Sequence, residues 1–385
     1  MNINTKFKMA ICILLSIVCC LVSTACSSKP QTIGEGSEFI VVYSRSREKS
    51  GGIFCIAEDG SITNELSKLE MQDLSFYSFN ENNLLISGGR SNNNLLFDLS
   101  KEGLYTEIHW LGEPNYSGVT AVELTEQAAF VVMNGNYSEN TYLNLVVEQD
   151  LQGNVIHQNV IELYCRDVLL NDGKAVLSGK HLKKENNENV WVASIIEYDI
   201  ENQKILTQTD FEQYNCFWEI ELYDGLYYCL TEGKNELKNI ICVIDPATKN
   251  VIREFAVEDQ LIGLDRYGDA IYAVGNTAVF KQSVKQEFDA IITDICFDGT
   301  YANWAYVYEN AYYIFSRLQQ REQVDNAYKY GELIKVDLDT LETTSTPVEF
   351  KKSVTMDDIL IFPAQMFQTK YDLLSCSEPP NGASV

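Results

Sequence analysis

Cys242-Val243-Ile244-Asp245-Pro246-Ala247-Thr248-Lys249-Asn250-Val251 contains a strand, an aspartate, a tight polar turn and the start of a second strand. The same order returns as Ile196-Glu197-Tyr198-Asp199-Ile200-Glu201-Asn202-Gln203-Lys204-Ile205 and as Ile334-Lys335-Val336-Asp337-Leu338-Asp339-Thr340-Leu341-Glu342-Thr343. The aspartate suits its place because a short carboxylate can accept backbone N–H bonds within the turn. Weaker copies span residues 55–64, 95–107 and 146–155.

A second element precedes each hairpin: an apolar strand, a turn, and a strand rich in Ala, Val, Leu and Tyr. It is seen at residues 167–178 around Asp172-Gly173, at 219–231 around Asp224-Gly225, and at 261–274 around Gly268-Asp269. Together the two elements make a unit of four strands. The chain has 22 Tyr, 17 Phe and only 7 Pro, with almost no sustained helical periodicity, which favours strands throughout. Hairpin turns near residues 60, 101, 153, 202, 248, 283 and 340 lie roughly 47 residues apart on average, the size of a propeller blade.

The predicted fold is therefore all-β: a β-propeller of seven four-stranded antiparallel blades, with six or eight also compatible with the spacing. A two-sheet sandwich fits less well, because the repeat runs end to end. The first blade is one strand short at its start. Residues 358–362 (Asp-Ile-Leu-Ile-Phe) can supply the missing innermost strand, closing the ring and removing its exposed edges. The Val-Ile-Asp-x-x-Thr hairpin, clearest at residues 243–248, resembles the blades of YVTN-repeat and quinoprotein-like (WD-repeat-like) propellers. That resemblance implies a fold and leaves function open.

Chemistry is sparse in the sequence. It holds no G-x-S-x-G, H-E-x-x-H or P-loop, and its three histidines, His109, His157 and His181, are not spaced as metal ligands. No cofactor and no metal is expected. In a four-stranded meander the tight turns belong to one face of the ring. The longer insertions, at residues 46–50, 88–94, 134–140, 180–189, 232–238 and 319–330, belong to the other. Binding sites usually sit on loops held by a rigid scaffold, so this elaborated face is the candidate. Three blades place an acid near the start of the expected innermost strand, three residues before an apolar residue: Asp167, Glu219 and Asp294. A ring of these carboxylates could hold a cationic group. Arg166 and Trp218 are adjacent candidates, although strand alternation points them away from the acids. The aromatic cluster Tyr301, Trp304, Tyr306, Tyr308, Tyr312 and Tyr313 is expected to pack between blades rather than to form a sugar platform. Basic stretches at residues 45–49 and 180–184 fall on the elaborated face, where they could meet an acidic partner.

The N-terminus supplies an address. Lys6 and Lys8 precede an apolar stretch at residues 9–22, then Val22-Ser23-Thr24-Ala25-Cys26. This is a secretory signal with a small-residue cleavage site. The cysteine after the cut resembles the lipobox of bacterial lipoproteins, although Ser23 stands where that family most often has Leu. The resemblance implies a signal peptide over residues 1–25, lipid attachment at Cys26, and a tethered body facing outside on the outer leaflet of the cytoplasmic membrane. The linker is expected at residues 26–37, the propeller at 38–372 and a disordered tail at 373–385. Residues 27–37 reach at most about 36 Å when extended. Removing the signal takes away two lysines and no acids, moving the formal charge from -26 to -28. Such a body is a poor partner for nucleic acid and is repelled by anionic head groups.

Seven cysteines remain beyond Cys26: Cys55, Cys165, Cys216, Cys229, Cys242, Cys296 and Cys376. Their odd number and loose spacing argue against a disulfide framework and suit a Gram-positive source. The functional expectation is a monomeric, non-enzymatic binding or scaffold lipoprotein, holding an envelope protein or polymer on its elaborated face. The alternative is an extracytoplasmic hydrolase or lyase acting on glycan or peptide with carboxylates at the channel mouth.

Overall fold

The computed structural model describes residues 36–367 except 46–49, 70–71, 91–92, 100–103, 110–115, 117, 139–140, 187, 234–237, 284–286, 297–298 and 352–355. The expected signal peptide, Cys26, most of the linker, Cys376 and the C-terminal tail lie outside the described residues, as does most of the basic stretch at 45–49. The described residues form twenty-eight strands and one short 3-10 turn, Ala364–Phe367. No helix among them is long and apolar enough to cross a membrane.

The strands form seven antiparallel sheets of four, so the chain is a seven-bladed propeller. Blade 1 is completed from the far end of the sequence. Asp358–Pro363 pairs with Phe39–Arg45, placing Ile40 opposite Phe362 and Val42 opposite Leu360, as the strand count required. The innermost strands of blades 2 to 7 are Leu74–Phe79, Val119–Leu124, Tyr164–Asn171, Tyr214–Tyr223, Leu261–Tyr267 and Thr300–Tyr308.

The hairpin aspartates behave as their chemistry dictates. Asp245 accepts from the backbone N–H groups of Ala247 (2.8 Å) and Thr248 (3.4 Å) and from the Thr248 hydroxyl (2.9 Å). Asp337 accepts from the N–H groups of Asp339 and Thr340, and Asp199 from that of Asn202. On the trimmed face, Asp172-Gly173 and Asp224-Gly225 have φ values of 48° and 73°, and of 51° and 74°. Two consecutive positive φ angles define the two-residue hairpin turn whose twist matches the strands, and Gly takes its second position at no steric cost.

The core lies between blades. Phe130 and Val132 of blade 3 share a buried cluster with Leu177, Ile196 and Tyr198 of blade 4. Tyr228 and Leu230 of blade 5 share one with Ile271 and Ala273 of blade 6. Of the expected aromatic cluster, Trp304, Tyr306, Tyr312 and Tyr313 are buried, and only Tyr301 is exposed. Cys55, Cys165, Cys216, Cys229 and Cys242 are buried free thiols, and Cys296 is a partly buried one. Three of the longer insertions are continued strands rather than irregular loops. Lys174–Glu185 with Glu188–Asp199 in blade 4 and Ala311–Val324 with Ala327–Asp337 in blade 7 project as long hairpins, with a shorter one at Ala128–Ser138 and Thr141–Asp150 in blade 3.

Candidate functional site: the acid-lined channel mouth

An antiparallel strand normally alternates its side chains, but the inner strands of this ring do not. Each of the six from blades 2 to 7 carries one extra residue at the same register: Ser75, Thr120, Arg166, Trp218, Ile262 and Asn303. A bulge sets two residues against one and re-aims a side chain. Arg166 and Asp167 therefore both line the channel, as do Trp218 and Glu219. This corrects the expectation that alternation would turn Arg166 and Trp218 away from the acids. Gly179 lies opposite the blade 4 bulge, where a Cβ would come within 2.1 Å of the Tyr164 carbonyl oxygen, so the backbone itself fills the space.

The channel holds a cavity of about 490 Å³. Five carboxylates line it: Glu123, Asp167, Glu219, Glu221 and Asp265. Asp294 is not among them. The sequence suggested an innermost strand there, but residues 289–293 form the outer strand of blade 6, and Asp294 follows it at φ 62° on the exposed connection. The inner strand of blade 7 begins only at Thr300. Glu123, Glu221 and Asp265 were missed. They lie two residues beyond the first position after each bulge, a spacing that the shifted side-chain alternation conceals in the sequence.

Most of these acids are tied into the framework. An inner strand has no neighbour on its channel side, so its edge N–H groups need acceptors. Asp167 accepts from the N–H of Ile220 on the next inner strand and from that of Val168, each at 2.8 Å. Glu219 does the same for Leu264 N–H. Glu123 accepts from the Ser78 hydroxyl at 3.1 Å, and Ser78 in turn accepts from Leu124 N–H at 2.9 Å. Asp265 accepts from the Tyr312 hydroxyl. The side chain of Glu221 alone of the five makes no hydrogen bond or ion pair among the described residues.

Burial dominates the electrostatics. It raises Glu123 to about 8, with help from the nearby Asp167 charge. It raises Asp167 and Asp265 each to about 6, against the hydrogen bonds that favour their charged forms. Glu219 and Glu221 are pushed well above the ordinary carboxylate range, by burial first and then by their acidic neighbours. Glu221 sits at the centre of this repulsion, since it feels Asp265, Asp167, Glu123 and Glu219. Among the described residues no three acidic, histidine or cysteine side chains converge closely enough to hold a metal ion.

The mouth has the opposite sign. Strand direction puts Arg166 and Trp218 nearer the elaborated face than the acids that follow them, and Lys238 opens its strand at that same face. The Arg166 guanidinium lies 4.4 Å and the Lys238 ammonium 3.7 Å from the centre of the Trp218 ring. Lys180 stacks similarly on Trp191 (4.6 Å) and Tyr164 (5.2 Å). Burial, then the Arg166 charge, lowers the Lys238 ammonium below its usual range.

No protein-family model and no curated protein matches this chain. Solved structures do. A functionally unknown protein from Desulfotomaculum acetoxidans DSM 771 superposes with a TM-score of 0.54 at 12% identity, over 81% of this chain and 95% of that one. Synechocystis apocarotenoid oxygenase gives 0.51 at 10% identity, over 88% and 95%. The β-propeller domain of Myceliophteria thermophila Cps50 (Swd1) gives 0.50 at 10%, over 71% and 85%. One of these is an enzyme by name and another a propeller domain, so the likeness leaves function open. At such identities it is a likeness of fold: the chain is a seven-bladed β-propeller.

Proposed function

We propose that this protein is a non-enzymatic binding module, tethered outside the membrane through lipid on Cys26, that holds an envelope component at the mouth of its channel. The observation that carries the reading is the division of labour among the five carboxylates. Four are committed to framework bonds and one, Glu221, is not. Hydrolysis of a glycosidic bond by two carboxylates needs an acid and a partner at a working separation, both free to act on substrate. One free acid in a cavity at the channel mouth suits recognition of a ligand better than that chemistry. The aromatic and cationic mouth offers a surface of the kind that anchors interfaces, where Trp, Tyr and Arg contribute most.

The test is site-specific photo-crosslinking of the full chain in intact cells. A crosslinker at Lys180, on the elaborated face, should capture an envelope component, and one at Asp224, on the trimmed face, should not. Cys26→Ala should move the chain from the membrane to the soluble fraction and reduce capture. Turnover of a glycan or peptide by the purified chain, abolished in Glu221→Gln, would replace this reading with the hydrolase alternative.

A further inference from the structure

One cavity carries an acid and two cations that make no ion pair among the described residues. The side chain of Glu221 is half-buried, lines the cavity, and has no hydrogen-bond or ion-pair partner among the described residues. A half-buried carboxyl without a donor, beside four other acids, is relieved by a bound cation. Nearer the mouth, Arg166 and Lys238 flank Trp218 from the same cavity. Neither makes an ion pair with a carboxylate among the described residues, in a chain that carries 55 acids and only 29 lysines and arginines. The indole side N–H of Trp218 is buried without an acceptor as well. An anionic group seated here would answer both cations and could accept from that N–H.

We infer that the cavity binds a zwitterion: an ammonium group directed to Glu221 and a carboxylate held by Arg166 and Lys238 beside Trp218. This deepens the binding-module reading and rests on it. Positions 218 and 221 are three residues apart on one strand, a rise of roughly 10 Å, so the two charges of the ligand should be separated by several bonds. The aromatic wall formed by Phe76, Trp304 and Tyr306 would flank the apolar spacer. A simple cation would leave Arg166 and Lys238 without an ion-pair partner. A simple anion would leave Glu221 without a donor.

The probe is a series of straight-chain ω-amino acids of two to eight carbons, titrated calorimetrically into the purified full chain at pH 7. The alkylamine and the alkanoate of each length serve as controls. We expect one or two adjacent lengths to bind at least tenfold more tightly than either control. Glu221→Gln should reduce that affinity at least tenfold and leave alkanoate binding unchanged. Lys238→Met or Arg166→Gln should reduce it similarly and leave alkylamine binding unchanged. The use of both cation variants guards against one of them misfolding, which a melting curve reveals. Equal binding of zwitterion and single-charge controls, binding indifferent to Glu221→Gln, or no binding at any length would overturn the inference. Crosslinking at Lys180 that persists alongside such a result would leave the binding-module reading standing, whereas loss of that crosslinking overturns the reading itself.

Discussion

The two halves of the channel wall solve one problem in opposite ways. Around blades 4 to 6, edge N–H groups of the inner strands are met by acceptors: Asp167 takes that of Ile220, and Glu219 that of Leu264. Around blades 7, 1 and 2, edge carbonyls are met by aromatic donors. The Trp304 indole donates to Ile359 C=O (2.8 Å), the Tyr306 hydroxyl to Ile361 C=O (3.4 Å), and the Tyr77 hydroxyl to Ala305 C=O (2.7 Å). The aromatic half also packs on itself, with Trp304, Tyr306 and Tyr77 rings each within 6.3 Å of Phe362. An N–H needs an acceptor and a C=O a donor, and the choice decides whether that stretch of channel is acidic or apolar. Ring closure falls in the apolar half, where burial adds to hydrogen bonding. The cavity draws its carboxylates from the acidic half.

The comparison breaks most severely if the closing strand goes. Deleting residues 358–367 removes the pairing partner of Phe39–Arg45 and the Phe362 ring, and exposes an apolar edge. Loss of the cooperative unfolding transition, followed by circular dichroism, is expected. Next, Trp304→Ala should cost about 3–5 kcal/mol in denaturant unfolding, and Trp304→Phe, which keeps most of the packing, only about 1 kcal/mol for the lost indole bond.

In the acidic half the acceptor oxygens stabilise the fold and the charge opposes it. Asp167→Ala orphans two N–H groups and should cost about 1–3 kcal/mol. Ile220 and Val168 donate to different oxygens of Asp167, so Asp167→Asn keeps one acceptor, sets an amide NH2 against the other N–H and removes a charge from a crowded cluster; it should cost less than Asp167→Ala.

A pH profile separates the halves further. Glu123, Asp167 and Asp265 have folded-state values raised to about 8, 6 and 6. A group raised on folding stabilises the fold most when protonated, and that contribution disappears as pH rises through its folded value. The melting temperature of the free protein should therefore increase by several degrees from pH 9 to about pH 5. It should fall below about pH 4, where the turn aspartates Asp199, Asp245 and Asp337, whose values are lowered by their turn hydrogen bonds, lose their charge. Glu123→Gln should flatten the upper part of the profile, whereas Trp304→Phe should lower the whole curve without changing its shape.

The smallest effect belongs to a site in neither half. Asp245→Ala removes one turn's acceptor and should lower the melting temperature least of these variants.

The fold was legible because each blade repeats a local chemical necessity. Asp245 and Asp337 had to be short acceptors, Gly173 and Gly225 had to tolerate positive φ, and the strand deficit ahead of residue 52 had to be met from elsewhere. The site was legible only in part. Asp167 and Glu219 were visible as acids at strand starts. Asp294 looked the same and lies on an exposed connection, because an acid before an apolar residue does not reveal which strand of a blade it begins. Glu221 and Asp265 were hidden by the bulges. One extra residue in each inner strand shifts the side-chain alternation, and no single residue type announces it: Ser75, Thr120, Arg166, Trp218, Ile262 and Asn303 share the position and little else. Their common feature is the register against the neighbouring strand, which exists only once the sheet has formed.

The closing strand has a mechanical consequence. Phe39–Arg45 is clamped between Ser50–Ile56 and Asp358–Pro363, antiparallel to both. Tension applied to the chain ahead of Phe39 runs along this strand, so it loads two ladders in shear instead of peeling one open bond by bond. A stalk attached there would grip the disc at one of its firmest points, and drag on whatever the disc holds would strain the stalk before it opened the ring.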